Sequence, residues 1–521
     1  NPAAALDAMA RRGLLRTFGT GAQASFQCHD LVRRFVRQEL EAQGGPQAWR
    51  TLEADTAVAL CERGEPERAL RHFLQAGSAE NAARLLRELA PGMLRQGRAA
   101  SLLQFLGELP PALVREDATL ALMLADTHQA LGGWDEAESL YAATLERCRR
   151  GAATATPGAG PAARELECRA LLGLGKVLNL RGRHEQVLGM AERGLVMAGD
   201  LGLEVRARLL QLKAGAHFYL GQYQAAVQVL DQVRQLLAGS SDPELLVPTM
   251  HNLAGAYAAQ GRFREATQEF RAALAQVRGT ASPRAPLYLA NLAFHLAELG
   301  ELAEARRAAE EGLLAAQRFS NRAQECTCHQ ALAQILARSG DLDGALAALK
   351  RAEELNAELR MEVLAADLLL LRARVFLARG EYRRAVEFVT QVVERLKERP
   401  EDPRLAEARA TLAWCELRAG RVRVARDLLH GLVAAADTGE NGYLRMRVHY
   451  WLAESLLALG EKRGVEAHLT AALALVRERG YLYFLRVQAR EDPAPLLHAL
   501  ARGLEVGTVA AALVEAGAAV E

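Results

Sequence analysis

The chain has 521 residues, half of them hydrophobic and only 5% aromatic, with 64 Lys and Arg against 63 Asp and Glu. A formal charge of +1 supplies no basic field for a nucleic-acid backbone, so direct DNA contact from this segment is not expected. The sequence holds no long uncharged apolar run and no leader-like start, and its seven cysteines lack framework spacing, which together fit a reducing cytoplasm and no membrane span.

Residues 1–48 differ in pattern from the rest of the chain. A helical segment, Ala5 to Gly13, leads through turn residues Gly19-Thr-Gly21 to Ser25-Phe26-Gln27-Cys28-His29, apolar at alternate positions as in a short strand. Asp30 to Val36 then takes up a helical period that closes at Gly44-Gly45-Pro46. Helix, strand and helix predict the back half of a small winged-helix domain. The opening at Asn1 inside a helical segment reads as a piece of something longer.

From Trp49 one stretch recurs. A Gly ends each apolar helix-period run, at 64, 97, 132, 182, 221, 261, 300, 340, 380, 420 and 460. Seven residues before it stands a small residue (Ala57, Ala90, Ala125, Gly175, Ala214, Ala254, Ala293, Ala333, Ala373, Ala413, Ala453), and five after it, in most copies, Ala. Antiparallel helices approach closely only where both carry small side chains, and the residue past a helix end favours Gly because it needs positive φ. The register predicts an all-α, right-handed superhelix of about eleven helix-turn-helix repeats over 49–480. Loops rich in Pro, Gly and Ser fall near 151–161, 239–243, 279–286 and 399–403, where Pro separates one helix from the next. After the last repeat, 481–521 reads as capping helices over the final apolar face.

The small-residue and Gly signature resembles the tetratricopeptide repeat (TPR), lengthened to about 40 residues. Two stretches narrow the resemblance. Phe26, His29, Leu31, Arg33 and Phe35 are spaced as in the winged helix of large STAND-class bacterial transcription regulators, the maltose-regulon-activator type among them. Ala69, His72, Ala76-Gly77-Ser78 and Ala82-Ala83 are similar to the segment that opens the repeat domain of those regulators. The resemblance implies a sensing arm: an inducer or partner binds the superhelix and relieves autoinhibition of an ATPase core. It also implies an ATPase module and a DNA-binding domain elsewhere in such a protein. The alternative is a generic TPR interaction scaffold with no small-molecule switch.

In a tetratricopeptide superhelix the first helix of each pair lines the concave groove, and positions nine and six residues before the turn Gly point into it. Those positions and their neighbours give a polar and aromatic stripe: Asn252, Asn291, Gln330, Gln334, Arg374, Trp414, Tyr450, Trp451 and Glu454. Asn and Gln amides both donate and accept, and Trp and Tyr faces suit apolar anchors or sugar rings. The stripe is the candidate surface for a protein partner or a small-molecule inducer, with self-association possible along the array. The bland alternative is a solvated inner wall with no ligand.

Other motifs carry less. Gly173-Leu-Gly175-Lys176 resembles a phosphate loop only superficially, since no Ser or Thr follows the Lys and the run sits inside a helical repeat. Cys326 and Cys328 lie two apart on a helix and point away from each other, so they cannot share one ion. His29 and His72 sit beside apolar faces, as structural histidines do. No spacing suggests catalysis, a metal or a cofactor, and the segment is not expected to be an enzyme.

Overall fold

A computed structural model describes residues 2–18, 25–28, 30–154, 160–199, 201–240, 242–277, 282–359, 361–399 and 402–517. Almost everything described is helix. The chain divides into two compact units, 1–180 and 181–521.

The first unit opens with α1 (Pro2–Arg11) and an antiparallel hairpin, β1 (Leu15–Phe18) and β2 (Ser25–Cys28), with Leu15 opposite Cys28. Then come α2 (Asp30–Gly44), α3 (Pro46–Glu62), α4 (Pro66–Gln75), α5 (Ala79–Arg95) and α6 (Ala99–Gly107). The unit ends with α7 (Pro111–Glu116), α8 (Ala118–Ala130), α9 (Trp134–Thr154) and α10 (Pro161–Leu180). The expected strand and following helix are present as β2 and α2, while Gly19–Gly21 and His29 lie outside the described residues. His72 is held by the buried Glu53 carboxylate, which also takes Arg33 at 3.1 Å.

The second unit is a longer array of the same design. Its helices begin with α11 (His184–Met197), α12 (Leu203–Tyr219), α13 (Tyr223–Leu236), α14 (Pro243–Ala259), α15 (Phe263–Gln276) and α16 (Ala285–Leu299). They continue with α17 (Leu302–Arg318), α18 (Arg322–Ser339), α19 (Leu342–Leu359), α20 (Glu362–Ala378), α21 (Tyr382–Leu396) and α22 (Pro403–Arg418). The last are α23 (Val422–Thr438), α24 (Gly442–Ala458), α25 (Val465–Arg479), α26 (Leu482–Glu491), α27 (Ala494–Ala501) and α28 (Val506–Ala516).

The repeat register has the physical basis read from the sequence. All eleven turn glycines have φ between 73° and 88°, the region where a Cβ would be strained. The small residues seven before and five after each turn are buried, as with Ala293 and Ala305 or Ala373 and Ala385. Flanking leucines, each contributing about 1.5–3 kcal/mol on burial, complete the interior between helix pairs. The result is an all-α superhelical repeat fold.

Two Asp-Pro pairs start helices rather than merely stopping them. Asp242 and Asp402 cap α14 and α22, accepting from the backbone N–H groups of Glu244 (2.9 Å) and Arg404 (3.0 Å), with Pro at the first helical position. The Gly173 run is helical in α10, and a Cβ on Gly173 would fall 2.3 Å from the Tyr141 ring, so that Gly serves packing. Cys326 Sγ faces the Ala352 carbonyl and Cys328 Sγ the Pro286 carbonyl, two different neighbouring helices.

Candidate functional site

The second unit folds back on its own groove. Tyr481, just before α26, donates its hydroxyl to the Gly261 carbonyl at 2.7 Å, and the Gly442 N–H reaches the Gln260 carbonyl at 3.1 Å. Tyr443 and Tyr481 pack around Phe263, the first residue of α15, and the Tyr483 ring covers the next turn at Gly300. Glu440 adds contacts to the Gln224 N–H and the Gln260 amide. The end of the unit is thereby seated on turns near its start.

Between α26 and the inner helices lies a cavity of about 200 Å³. Its walls come from Glu298 (α16), Gln334 and Arg338 (α18), Leu371 and Arg374 (α20), Trp414 (α22), Tyr443, Arg447 and Trp451 (α24), and Tyr483, Phe484, Gln488 and Glu491 (α26). The Trp414 and Trp451 rings stack at 5.2 Å, 7° from parallel, and Trp451 Nε1 donates to Gln488 Oε1 at 2.8 Å. The Arg447 guanidinium lies over both Tyr443 and Trp451.

Ion pairs link neighbouring repeats across the cavity floor. Glu298 Oε1 accepts from Gln334 Nε2 (2.8 Å) and from Arg338 (2.5 Å). Glu407 takes Arg374 on Oε1 at 2.7 Å and Arg447 on Oε2. Burial pushes both carboxyls up, but the guanidiniums outweigh it: Glu298, facing Arg338 and Arg374, and Glu407, facing Arg447 and Arg374, both stay below the ordinary value. Asp367 behaves oppositely, since burial outweighs Arg404 and Arg374 and lifts it to about 6.

Four residues of the sequence stripe meet in this cavity: Gln334, Arg374, Trp414 and Trp451. The other five lie elsewhere. Tyr450 is fully buried and packs edge-on against Phe484, and Glu454 is buried on Arg418, because the terminal helices cover the last repeat. Burial lifts Glu454 to about 7 against the pull of Arg418. Gln330 is buried in α18, and Asn252 and Asn291 are half-buried on α14 and α16, outside the cavity wall.

The residues that the sequence reading missed follow the same helical stripe further. On an α-helix, thirteen, nine, six and two residues before the turn Gly share one face. Glu407 and Arg447 stand at minus thirteen, Glu298 and Arg338 at minus two. Extending the stripe by one helical turn each way would have found all four. The α26 wall carried a weaker signal, the aromatic cluster Tyr481, Tyr483 and Phe484 outside the repeat register.

With this geometry in view, the sequence matches the MalT-like TPR region family over residues 167–502. The chain belongs to the MalT-like TPR family. A single tetratricopeptide repeat also matches at residues 118–151, within the first unit. No curated protein matches the chain. Among solved structures, it is similar in fold to a Rap protein complexed with competence and sporulation factor: 14% identity, 68% of this chain and 97% of that chain covered, TM-score 0.52. The apo form of the quorum sensor NprR from B. thuringiensis aligns at 14% identity over 70% of this chain and 99% of that one, with a TM-score of 0.47. Membership in this family makes the chain a TPR-repeat scaffold. No helix among the described residues is long and apolar enough to cross a membrane.

Proposed function

We propose that the chain is the signal-sensing and protein-interaction or self-association arm of a cytoplasmic STAND-type transcriptional regulator, and that its signal binds in the inner cavity of the second unit. One observation carries the reading. Four inner helices present Gln334, Arg374, Trp414 and Trp451 to one half-open cavity, walled on one side by a helix that does not belong to the repeats. The family match supports the regulator context, and the Rap complex is a precedent for a partner held by a chain of this fold.

In this reading the arm itself carries no catalysis. A ligand that binds one arrangement of α26 better than another biases the equilibrium between them, and the bias equals its difference in affinity. Thermal-shift screening with metabolites, sugars and peptides, repeated on Trp414→Ala, tests the proposal. A compound that raises the melting temperature of the parent chain and not of the variant is the expected result. Compounds that act equally on both would place the signal elsewhere.

A further inference from the structure

We propose that the first unit holds a second site, independent of the cavity in the second unit, which binds the phosphate group of a small molecule on Arg33, Arg34 and Arg37 of α2.

The three arginines fall within about one helical turn. They line an open-mouthed cavity of about 310 Å³, completed by Trp49 of α3 and Gln75 of α4. The protein itself places two of the charged heads. Arg33 Nη2 donates to Glu53 Oε1 at 3.1 Å and to Gln75 Oε1 at 2.5 Å. The Arg33 and Arg37 guanidiniums both lie over the buried Trp49 ring, 5.9 Å from its centre. Arginines kept only for solubility would extend into water. These turn back onto α3, so part of the cost of ordering them is met before a ligand arrives.

Charge gives the sign of the ligand. Like charges three and four residues apart on a helix repel one another. Among the described residues no carboxylate lines the cavity to offset them. Glu53 lies buried beneath Arg33 and is shared with His72, and Glu41 takes Arg37 Nε at 2.8 Å from one turn further along α2. Arg34 has no ion pair among the described residues. Three guanidiniums therefore share two carboxylates, one of them already divided, and the cavity favours an anion.

The spare hydrogen-bonding groups narrow the anion further. Arg34 keeps all five N–H donors, Arg37 both of its Nη groups, and Gln75 its amide N–H groups. The acceptor in the wall, Gln75 Oε1, is taken by Arg33. These donors are open to a solute: the Arg33 and Arg37 side chains are 44% and 57% exposed, and Arg34 and Gln75 are exposed as well. A carboxylate offers two oxygens, which one guanidinium fork satisfies, whereas the three terminal oxygens of a phosphate present a face to several forks at once. A nucleic-acid backbone needs a longer basic stripe, and Glu39 and Glu41 end this one on the next turn of α2.

The test is isothermal titration of the full chain, at fixed ionic strength, with sodium phosphate, glucose 6-phosphate and AMP, beside sodium acetate and a short DNA duplex. At least one phosphate compound is expected to bind, with a tenfold or greater loss in Arg34→Gln and in Arg37→Gln and none in Arg318→Gln, an exposed position of the second unit. A response to sodium phosphate assigns the free ion, and a response to an ester alone assigns the ester. Arg33, which joins α2 to α3, is left in place, and circular dichroism checks that each variant folds. Phosphate binding that Arg34→Gln and Arg37→Gln leave unchanged overturns the proposal, as does silence of every phosphate compound. Binding of the duplex alone overturns it in favour of a nucleic-acid contact.

Discussion

Tyr481 donates its hydroxyl to the carbonyl of Gly261, a residue 220 positions earlier in the chain. In an open solenoid each repeat touches only its neighbours. This bond, with Gly442 on Gln260 and Tyr483 on Gly300, joins parts of the second unit that the repeat register would never bring together.

Comparing two glycines isolates that closure. Gly261 and Gly340 both have positive φ, so replacement by Ala strains either backbone by about 1–2 kcal/mol. At Gly340 the new Cβ meets nothing within 4 Å, whereas at Gly261 it lies 2.6 Å from the Tyr481 hydroxyl oxygen and 2.8 Å from the Tyr443 backbone nitrogen. Gly261→Ala should therefore cost more in urea unfolding than Gly340→Ala. It should also raise hydrogen exchange across Leu482–Glu491, which Gly340→Ala leaves protected. Equal behaviour of the two variants would mean that the contact contributes nothing to holding α26.

Tyr481→Phe removes one hydrogen bond and little volume. A loss of about 1 kcal/mol is expected, with the same local rise in exchange. A global loss several times larger would show that the hydroxyl supports more than the clasp.

The small-residue crossings are tested by enlargement. Ala373 is fully buried where α20 meets α21, and Ala373→Leu should cost about 1–3 kcal/mol by overpacking. Ala434 on the exposed side of α23 is the control, with Ala434→Leu expected within about 0.5 kcal/mol of the parent in chemical denaturation. In the first unit, Gly173→Ala sets a gain of about 1 kcal/mol in helix propensity against a clash with Tyr141, and the clash should win.

Two buried groups give opposite pH dependences. His295 stacks on Phe263 and Phe270, and burial lowers its pKa to about 4 from 6.5. Between those values the unfolded chain binds a proton that the folded chain does not, so stability falls as pH falls. From pH 7 to pH 5 the parent should lose about 2 kcal/mol relative to His295→Phe. Glu454 has its folded pKa raised to about 7 from 4.5, so there the folded chain holds the extra proton and stability falls as pH rises. Relative to Glu454→Gln, the parent should gain about 2 kcal/mol over the same acid shift. Guanidinium titrations of the three proteins at both pH values measure both differences.

The fold was legible because the repeat writes its packing into composition. A Gly that must take positive φ and an Ala that must sit in a helix crossing leave the same trace in each copy. The site was legible in part. Trp414 and Arg374 stand on a face that the helical period points inward, and period alone places them. Period also covers Glu298, Arg338, Glu407 and Arg447, two residues and thirteen residues before the turn, once the stripe is followed along the whole helix. What the pattern could not give was α26. Its position is set by Tyr481 and Tyr483 meeting Gly261 and Gly300, and tertiary contacts at such separation have no local signature. Tyr450 and Glu454, inward by period, are buried for the same reason.

The bond between Tyr481 and Gly261 also bears on how such a protein changes in length. Solenoids commonly grow or shrink by duplicating or deleting whole repeats, because each new pair finds the same neighbours as the old. Between positions 261 and 481 that freedom is gone. One more forty-residue pair would rotate the tyrosine past its carbonyl, and one fewer would leave it short. Copy number in this stretch is therefore constrained by geometry, and variation in length is expected to be confined to the pairs that precede Gly261.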